Sequence, residues 1–197
     1  VQSAQIAVKE LKEQYPDRKI LTVDSLCASM GQGLLVWHAW NQKKAGKTLE
    51  ETASWVEGNK LRLCHLFTVD DLGTLKRGGR LSESAAFLGT LLKVKPILHV
   101  TNEGKLVALQ KARGRRSSLS TMVDLMVDRI TDPADQTVFI SHGDCLTEAE
   151  QVGQMIAERF HVVAMDLRGS GDSIGPDPAE TANYTFRAMA EDGVAVM

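Results

Sequence analysis

Short apolar runs that alternate with amphipathic helical patterns constrain the fold of this chain more than any other feature of its sequence. The run Val138–Ser141 predicts a strand, whereas the i, i+3, i+4, i+7 spacing of apolar residues over 4–15 predicts a helix. The turn signal Asn102-Glu103-Gly104 joins Val94–Val100 to Lys105–Gln110 and predicts a β-hairpin. Strands that alternate with helices around one hairpin indicate an α/β or α+β fold with a mixed sheet and flanking helices.

Two sequence signals predict where helices begin near the start of the chain. Ser29 with Gln32, and Thr48 with Glu51, have the spacing of a capping box, in which paired side chains satisfy backbone amides at a helix N-terminus. The apolar, β-branched run Ile20–Val23 precedes them and predicts a buried strand. These signals predict the order strand, helix, helix.

The overall composition is that of a globular protein and excludes several classes. The 197 residues are 43% hydrophobic and 24% charged, which argues against disorder. A formal net charge of −2 argues against a generally basic protein that binds nucleic acid. There is no run of about 18 apolar residues, so the sequence predicts no membrane span.

The cysteines and histidines do not suggest a metal site. Cys27, Cys64 and Cys145 are widely spaced and odd in number. They form neither a Cys-x-x-Cys motif nor zinc-ligand spacing with a histidine. We therefore expect free thiols in a reducing cytoplasm, no bound metal, and packing roles for His38 and His65.

Four blocks of sequence, linked in a fixed order, carry a family resemblance. They are Asp24-Ser25 followed by residues 28–33, then Phe67–Ser82, Leu88–Ile97 and Gly104–Arg116. In this order and spacing they closely resemble the DegV family of bacterial fatty-acid-binding proteins over about residues 1–158. The resemblance implies two α/β lobes that hold a long-chain fatty acid between them. It also implies that the acid is presented to a fatty acid kinase, with no catalysis and no cofactor in the binding protein itself.

The candidate ligand-binding residues are a polar pair, a glycine-rich turn and an apolar set: Asp24, Ser25, Gly78, Gly79, Arg80, Phe67, Leu75, Leu88 and Leu91. The polar pair could orient a ligand at a strand end, or only cap the following turn. The glycines could bring backbone close to an acyl chain, or only supply a positive φ. The apolar set suits a lipid tail, although each member also suits an ordinary core.

Four cations within six residues form a candidate site for an anion or an acidic partner. They are Lys111, Arg113, Arg115 and Arg116. Arginine offers a bidentate fork to carboxylate or phosphate. A helix is expected to begin immediately afterwards, and basic residues at a helix N-terminus oppose its dipole. We therefore predict that these side chains contact a negatively charged group. The alternative is that they lie on a solvated loop.

The end of the chain carries a second resemblance. Phe160–Ser173 and Tyr184–Asp192 resemble part of an α/β-hydrolase of the dehalogenase and epoxide-hydrolase branch. We therefore divide the chain into a DegV-like part, 1–158, and a hydrolase-like strand, loop and helix, 159–197, which is not expected to form an independent domain.

No hydrolase chemistry is predicted for this second segment. Gly171–Gly175 fits the G-x-S-x-G pattern, but a nucleophile elbow needs a strand directly before the serine and a helix directly after it. Pro176 and Pro178 oppose such a helix, so Ser173 is not expected to be catalytic.

The first residues also bear on the reading of the whole chain. Val1–Ala4 resembles the tail of the family's Ser/Gly/Thr-rich loop for the acyl carboxylate, so we expect an incomplete version of the fatty-acid-binding protein. The alternatives are a fragment of an α/β-hydrolase and a nonfunctional fusion of two unrelated pieces.

Overall fold

The computed structural model describes residues 2–80, 94–157 and 161–164. The helices are α1 (Gln2–Gln14), α2 (Ser29–Lys44), α3 (Leu49–Asn59), α4 (Leu72–Arg77), α5 (Arg115–Val127) and α6 (Leu146–Ala157). The strands are β1 (Leu66–Thr68), β2 (Val94–Val100), β3 (Leu106–Arg113), β4 (Thr137–Ile140) and β5 (His161–Ala164). The described residues divide into two compact units between Met122 and Val123. The predicted boundary between residues 158 and 159 lies outside the described residues and stays a prediction.

The first unit contains a three-stranded antiparallel sheet in the order β1-β2-β3. Its central strand carries Ile97 and Leu98, which are both fully buried. Consecutive strand residues point to opposite faces, so both faces of β2 are covered at this point. The register shifts between these two residues, because Ile97 pairs with Gln110 and Leu98 pairs with Ala108. This is the irregularity of a β-bulge.

The β2–β3 hairpin forms where the sequence predicts it. The Thr101 amide donates to the Lys105 carbonyl at 2.8 Å, and the Gly104 amide donates to the Thr101 carbonyl at 2.9 Å. Gly104 has a φ of +72°, which glycine adopts without the strain of a side chain. The predicted turn residues therefore close the hairpin.

Helices α2 and α3 pack on each other in the same unit. Leu35 of α2 and Val56 of α3 are buried, with 3% and 8% of their surface exposed. The helices are joined by a short turn in which Gly46 has a φ of +82°. This left-handed residue stops α2 at the predicted place.

The second unit is built from the parallel pair β4 and β5 with α6 packed against β5. Helix α6 buries Ala149, Val152 and Ile156 along one face. Parallel strands need a crossover connection, which a helix usually provides. The strand predicted at Val138–Ser141 is therefore confirmed as β4, which lies one residue earlier at each end.

The fold class is α/β, as predicted, but two local predictions are wrong. Ile20–Val23 is not a strand, because no described strand lies beside it to complete the hydrogen-bond ladder. The capping box predicted for Ser29 and Gln32 does not form: Ala28 is the N-cap of α2, without a side-chain cap. In the part of the chain that the structure describes, the antiparallel strands and the parallel pair belong to separate sheets.

Candidate functional site

A cavity of about 230 Å³ lies in the first unit, beside α2 and α3. Its lining is mainly apolar, with a few polar side chains. It is lined by Leu21, Val23, Ser25, Gln32, Leu35, Val36, Ala39, Leu49, Thr52, Ala53 and Val56. An apolar cavity with a small number of polar groups is the usual form of a small-molecule site.

Two helix faces supply most of this lining, and their spacing is visible in the sequence. The α2 residues at 32, 35, 36 and 39, and the α3 residues at 49, 52, 53 and 56, both follow the i, i+3, i+4, i+7 pattern of one helix face. Sequence reasoning predicted Ser25 but none of these helix residues. The matching pattern on two consecutive helices is the signal that could have found them.

The turn that follows the cavity-lining segment is shaped by its own side chains. The Leu26 amide donates to Asp24 Oδ1 at 3.1 Å, and the Cys27 amide donates to Ser25 Oγ at 3.3 Å. The Cys27 thiol donates in turn to the Ser25 carbonyl at 3.0 Å. Burial raises the pKa of this thiol, the Ser25 contact opposes the rise, and the nearby Asp24 carboxylate adds to it. Asp24 therefore caps the turn, which was the simpler of its two predicted roles.

Backbone strain is concentrated in the same turn. Leu26 has a φ of +53° and Ser29 has a φ of +48°, in the left-handed region that side chains disfavour. Each such residue costs about 1–2 kcal/mol. Residues held this way cluster at binding sites, where the surrounding structure enforces them. The strained segment 24–29 thus lies next to the cavity, because Ser25 belongs to both.

His65, for which only a packing role was predicted, lies against the first turn of α2. A Cβ atom placed on Gly31 would lie 1.9 Å from His65 Nε2 and 2.2 Å from its Cδ2. Burial lowers the pKa of His65, and the neighbouring His99 acts in the same direction. The sequence offered no signal for this contact, which joins residues far apart in the chain.

The predicted glycine-rich turn forms the end of helix α4. The Gly79 amide donates to the Lys76 carbonyl and the Arg80 amide donates to the Leu75 carbonyl, both at 2.9 Å. With a φ of +65° at Gly79, this is a Schellman cap. The predicted positive φ is therefore confirmed for Gly79, whereas ligand contact by Gly78, Gly79 and Arg80 stays a prediction.

Two of the remaining predicted apolar residues, Phe67 and Leu75, do not line the cavity. Phe67 lies on β1 opposite Leu98, and Leu75 lies on α4; both are half-buried. Leu88 and Leu91 lie outside the described residues. Of the predicted ligand residues that the structure describes, only Ser25 lines the cavity.

The four predicted cations lie at the junction of β3 and α5. Lys111 and Arg113 belong to β3, while Arg115 and Arg116 are the first two residues of α5. The first turn of α5 contains Arg115 and Arg116 but no acidic residue. The positive charges of these arginines therefore oppose the helix dipole, as predicted. All but Arg115 are exposed.

Arg115 lies close to an acidic site at the end of β1. Its guanidinium donates to Thr68 Oγ1 at 3.5 Å. Asp70 follows β1 and pairs with Lys95 Nζ at 2.7 Å. The hydrogen bond from Lys95 lowers the pKa of Asp70, as do the charges of Lys95 and Arg115. Part of the positive charge in the cluster is therefore offset within the protein.

The described residues offer neither a cluster of metal-binding side chains nor a membrane-spanning helix. Over residues 2–80, 94–157 and 161–164, no group of three or more His, Cys, Asp or Glu side chains is placed to hold a metal ion. Within the same ranges, no helix is both long and apolar enough to cross a membrane.

Comparison with known sequences places these features in a family. A family profile described as "Uncharacterised protein, DegV family" matches residues 1–176. A DegV domain-containing protein of Clostridium perfringens is 49% identical over 160 residues, which are 81% of this chain and 55% of that protein. The chain thus spans about half the length of this curated relative.

Solved structures give the same result. A DegV family protein of Ruminococcus gnavus, described with vaccenic acid, has a TM-score of 0.75 and 29% identity; the match covers 87% of this chain and 62% of that one. The Streptococcus pneumoniae "Fatty Acid Kinase (Fak) B3 protein", loaded with linoleic acid, has a TM-score of 0.75 and 25% identity; the match covers 83% of this chain and 59% of that one.

The family match also bears on the end of the chain. It extends to residue 176, beyond the limit near residue 158 that the sequence motifs predicted. It therefore includes all of the residues from Phe160 to Ser173 that were assigned to a hydrolase, and the hydrolase resemblance finds no support in these comparisons. With its profile match over 176 residues, this chain belongs to the DegV family.

Proposed function

We propose that the protein represented by this chain binds a long-chain fatty acid, and that the cavity beside α2 and α3 holds part of the acyl chain. The observation that carries the proposal is that Ser25, a residue of the family motif, lines the same cavity as Leu35 and Val56. Each buried CH₂ of a ligand contributes about 0.8 kcal/mol. An apolar lining therefore supplies affinity, while a hydroxyl can orient the polar end.

The size of the cavity and the charge of the turn refine this proposal. At about 230 Å³, the cavity is smaller than the roughly 300–1,000 Å³ of typical ligand pockets, so it suits a portion of a long chain. Asp24 carries the same charge as a fatty acid carboxylate and already accepts from the Leu26 amide. We assign the direct contact to Ser25 and a shaping role to Asp24.

The named ligands of related structures support the same class of ligand. Vaccenic acid and linoleic acid are long-chain acids, and they accompany the two structural relatives described above. The proposed role is binding and presentation, in the cytoplasm, without catalysis by this protein and without a cofactor.

Lipid extraction followed by mass spectrometry tests the proposal directly. The chain purified from bacteria should carry fatty acid, and Ala39→Trp should reduce the bound amount because the indole fills the cavity. Ala45→Trp is the matched control, since Ala45 is exposed at the end of the same helix and does not line the cavity. Absence of acyl chains from repeated preparations, or equal loss in both variants, would contradict the assignment.

We further propose that the cluster Lys111, Arg113, Arg115 and Arg116 contacts the anionic group of the lipid or a fatty acid kinase. It is supported by the exposed Arg116 at the start of α5, whose first turn contains no acidic residue, and by the kinase name of the Streptococcus pneumoniae relative. Arg113→Ala should lower kinase-dependent phosphorylation of bound fatty acid without lowering the melting temperature. Arg115→Ala should also reduce stability, because Arg115 donates to Thr68. Unchanged phosphorylation in both variants would leave the cluster a solvated face.

A further inference from the structure

We propose that His65 is a positioning residue, which holds the strained turn 24–29 in its binding conformation by packing against Gly31. The proposal concerns the same turn as the proposed function. It rests on that function only for the claim that a fatty acid binds beside the turn. None of the sequence motifs assigns a role to His65.

The contact itself leaves no room for a side chain at position 31. Because a Cβ on Gly31 would lie 1.9 Å from Nε2 and 2.2 Å from Cδ2 of His65, the ring tip occupies the space that any other residue would fill. His65 directly precedes β1, whose first residue, Leu66, is paired with His99. The ring is therefore carried by the sheet and reaches the first turn of α2.

The turn needs such a contact because its local interactions leave it strained. Leu26 and Ser29 both have left-handed backbone, and the N-cap of α2, Ala28, contributes no side-chain cap. The turn is instead contacted from the sheet at two points. A Cβ on Gly104, in the β2–β3 turn, would lie 3.4 Å from Leu26 Cδ2, and His65 contacts Gly31.

The contact is made by the neutral form of the ring. His65 Nε2 is buried and has no hydrogen-bond partner among the residues that the structure describes. Burial and His99 favour loss of the proton, and the positive end of the α2 dipole would also disfavour an imidazolium there. The ring therefore acts through steric packing, because it fills space between the sheet and the helix.

Peptide-resolved thiol labelling measures the turn without any ligand. Cys27 lies in the turn and is half-buried, whereas Cys145 belongs to the second unit and reports on general unfolding. Gly31→Ala should raise the labelling rate of Cys27 relative to Cys145 about five- to thirty-fold, the range expected when the enforced left-handed backbone is released. His65→Ala should act in the same direction.

The double variant and a matched glycine make the test specific. Gly31→Ala should have little further effect in the His65→Ala background, because the clash is gone. Gly58→Ala, at a helical glycine with no atom within 4 Å of the added Cβ, should leave Cys27 labelling unchanged. Equal effects of Gly31→Ala in both backgrounds, or unchanged Cys27 labelling in all single variants, would overturn the proposal.

Fatty acid binding gives the functional readout. Both single variants should bind fatty acid more weakly than the wild-type chain, in proportion to their Cys27 labelling. If the wild-type chain binds no fatty acid, the proposed function fails while the labelling still decides the role of His65. Normal binding by variants with exposed Cys27 would contradict the link between His65 and the ligand.

Discussion

Helices α2 and α3 begin with similar sequence signals but are stabilised in different ways. In α3, the Glu51 amide donates to Thr48 Oγ1 and the Thr48 amide donates to the Glu51 carboxylate, which completes a capping box. In α2, Ser29 adopts left-handed backbone and becomes the first helical residue, with Ala28 as N-cap. The start of α3 is stabilised locally, whereas the start of α2 has no side-chain cap and lies against His65.

The largest expected effect comes from the packing that α2 shares with α3. Leu35→Ala removes a buried side chain and should lower the free energy of unfolding by about 2–5 kcal/mol, as measured by chemical denaturation. Leu61→Ala is the control, because Leu61 is 52% exposed and should change stability by no more than about 0.5 kcal/mol. A similar loss in both variants would mean that α2 does not depend on this packing.

Two glycine-to-alanine substitutions, one just after α2 and one inside α3, should change stability in opposite directions. Gly46 has a φ of +82°, so Gly46→Ala should destabilise the chain by about 1–2 kcal/mol. Gly58→Ala, inside α3 and unobstructed, should stabilise it by about 0.5–1 kcal/mol. Thermal melting of both variants measures these changes. Melting temperatures that shift in the same direction would contradict the positive φ assigned to Gly46.

Removing the cap of α3 should have a moderate effect. Thr48→Ala removes the acceptor of the Glu51 amide and should cost about 1 kcal/mol. Gln32→Ala is the matched change in α2, where no capping box forms, and it should alter stability by less than about 0.5 kcal/mol. Equal losses of unfolding free energy in the two variants, measured by chemical denaturation, would support the capping box that the sequence predicted for α2.

The smallest expected effect is a dependence on pH. The pKa of His65 lies below its ordinary value of 6.5, so the unfolded chain binds more protons just below that pH. The free energy of unfolding should therefore fall as the pH drops from about 7 to about 5. The decline should be shallower in His65→Asn, with the lowered pKa of His38 accounting for part of what remains. An identical slope in the two proteins would mean that His65 does not titrate as described.

Elements that depend on local interactions were predicted correctly from the sequence, whereas an element that depends on distant residues was not. The hairpin turn and the α3 capping box involve neighbouring residues, and both were predicted correctly. Ile20–Val23 has the composition of a strand, but a strand also requires a partner, and its residues instead contribute Leu21 and Val23 to the cavity.

The candidate site was predictable only in part for the same reason. Ser25 was found through its motif, and the cavity-lining helix faces were present in the sequence as two i, i+3, i+4, i+7 sets. The contact of His65 with Gly31 joins β1 to α2, and no local pattern encodes it.

The position of β3 gives the basic cluster a second consequence, which concerns self-association. Strand β3 is at the edge of the described sheet, where free backbone groups can pair with a strand from another molecule. Lys111 and Arg113 are exposed on that strand and, being two residues apart, project from the same face. A second copy of β3 added antiparallel would bring like charges together across the new ladder. We therefore expect these cations to disfavour edge-to-edge association between copies of this sheet.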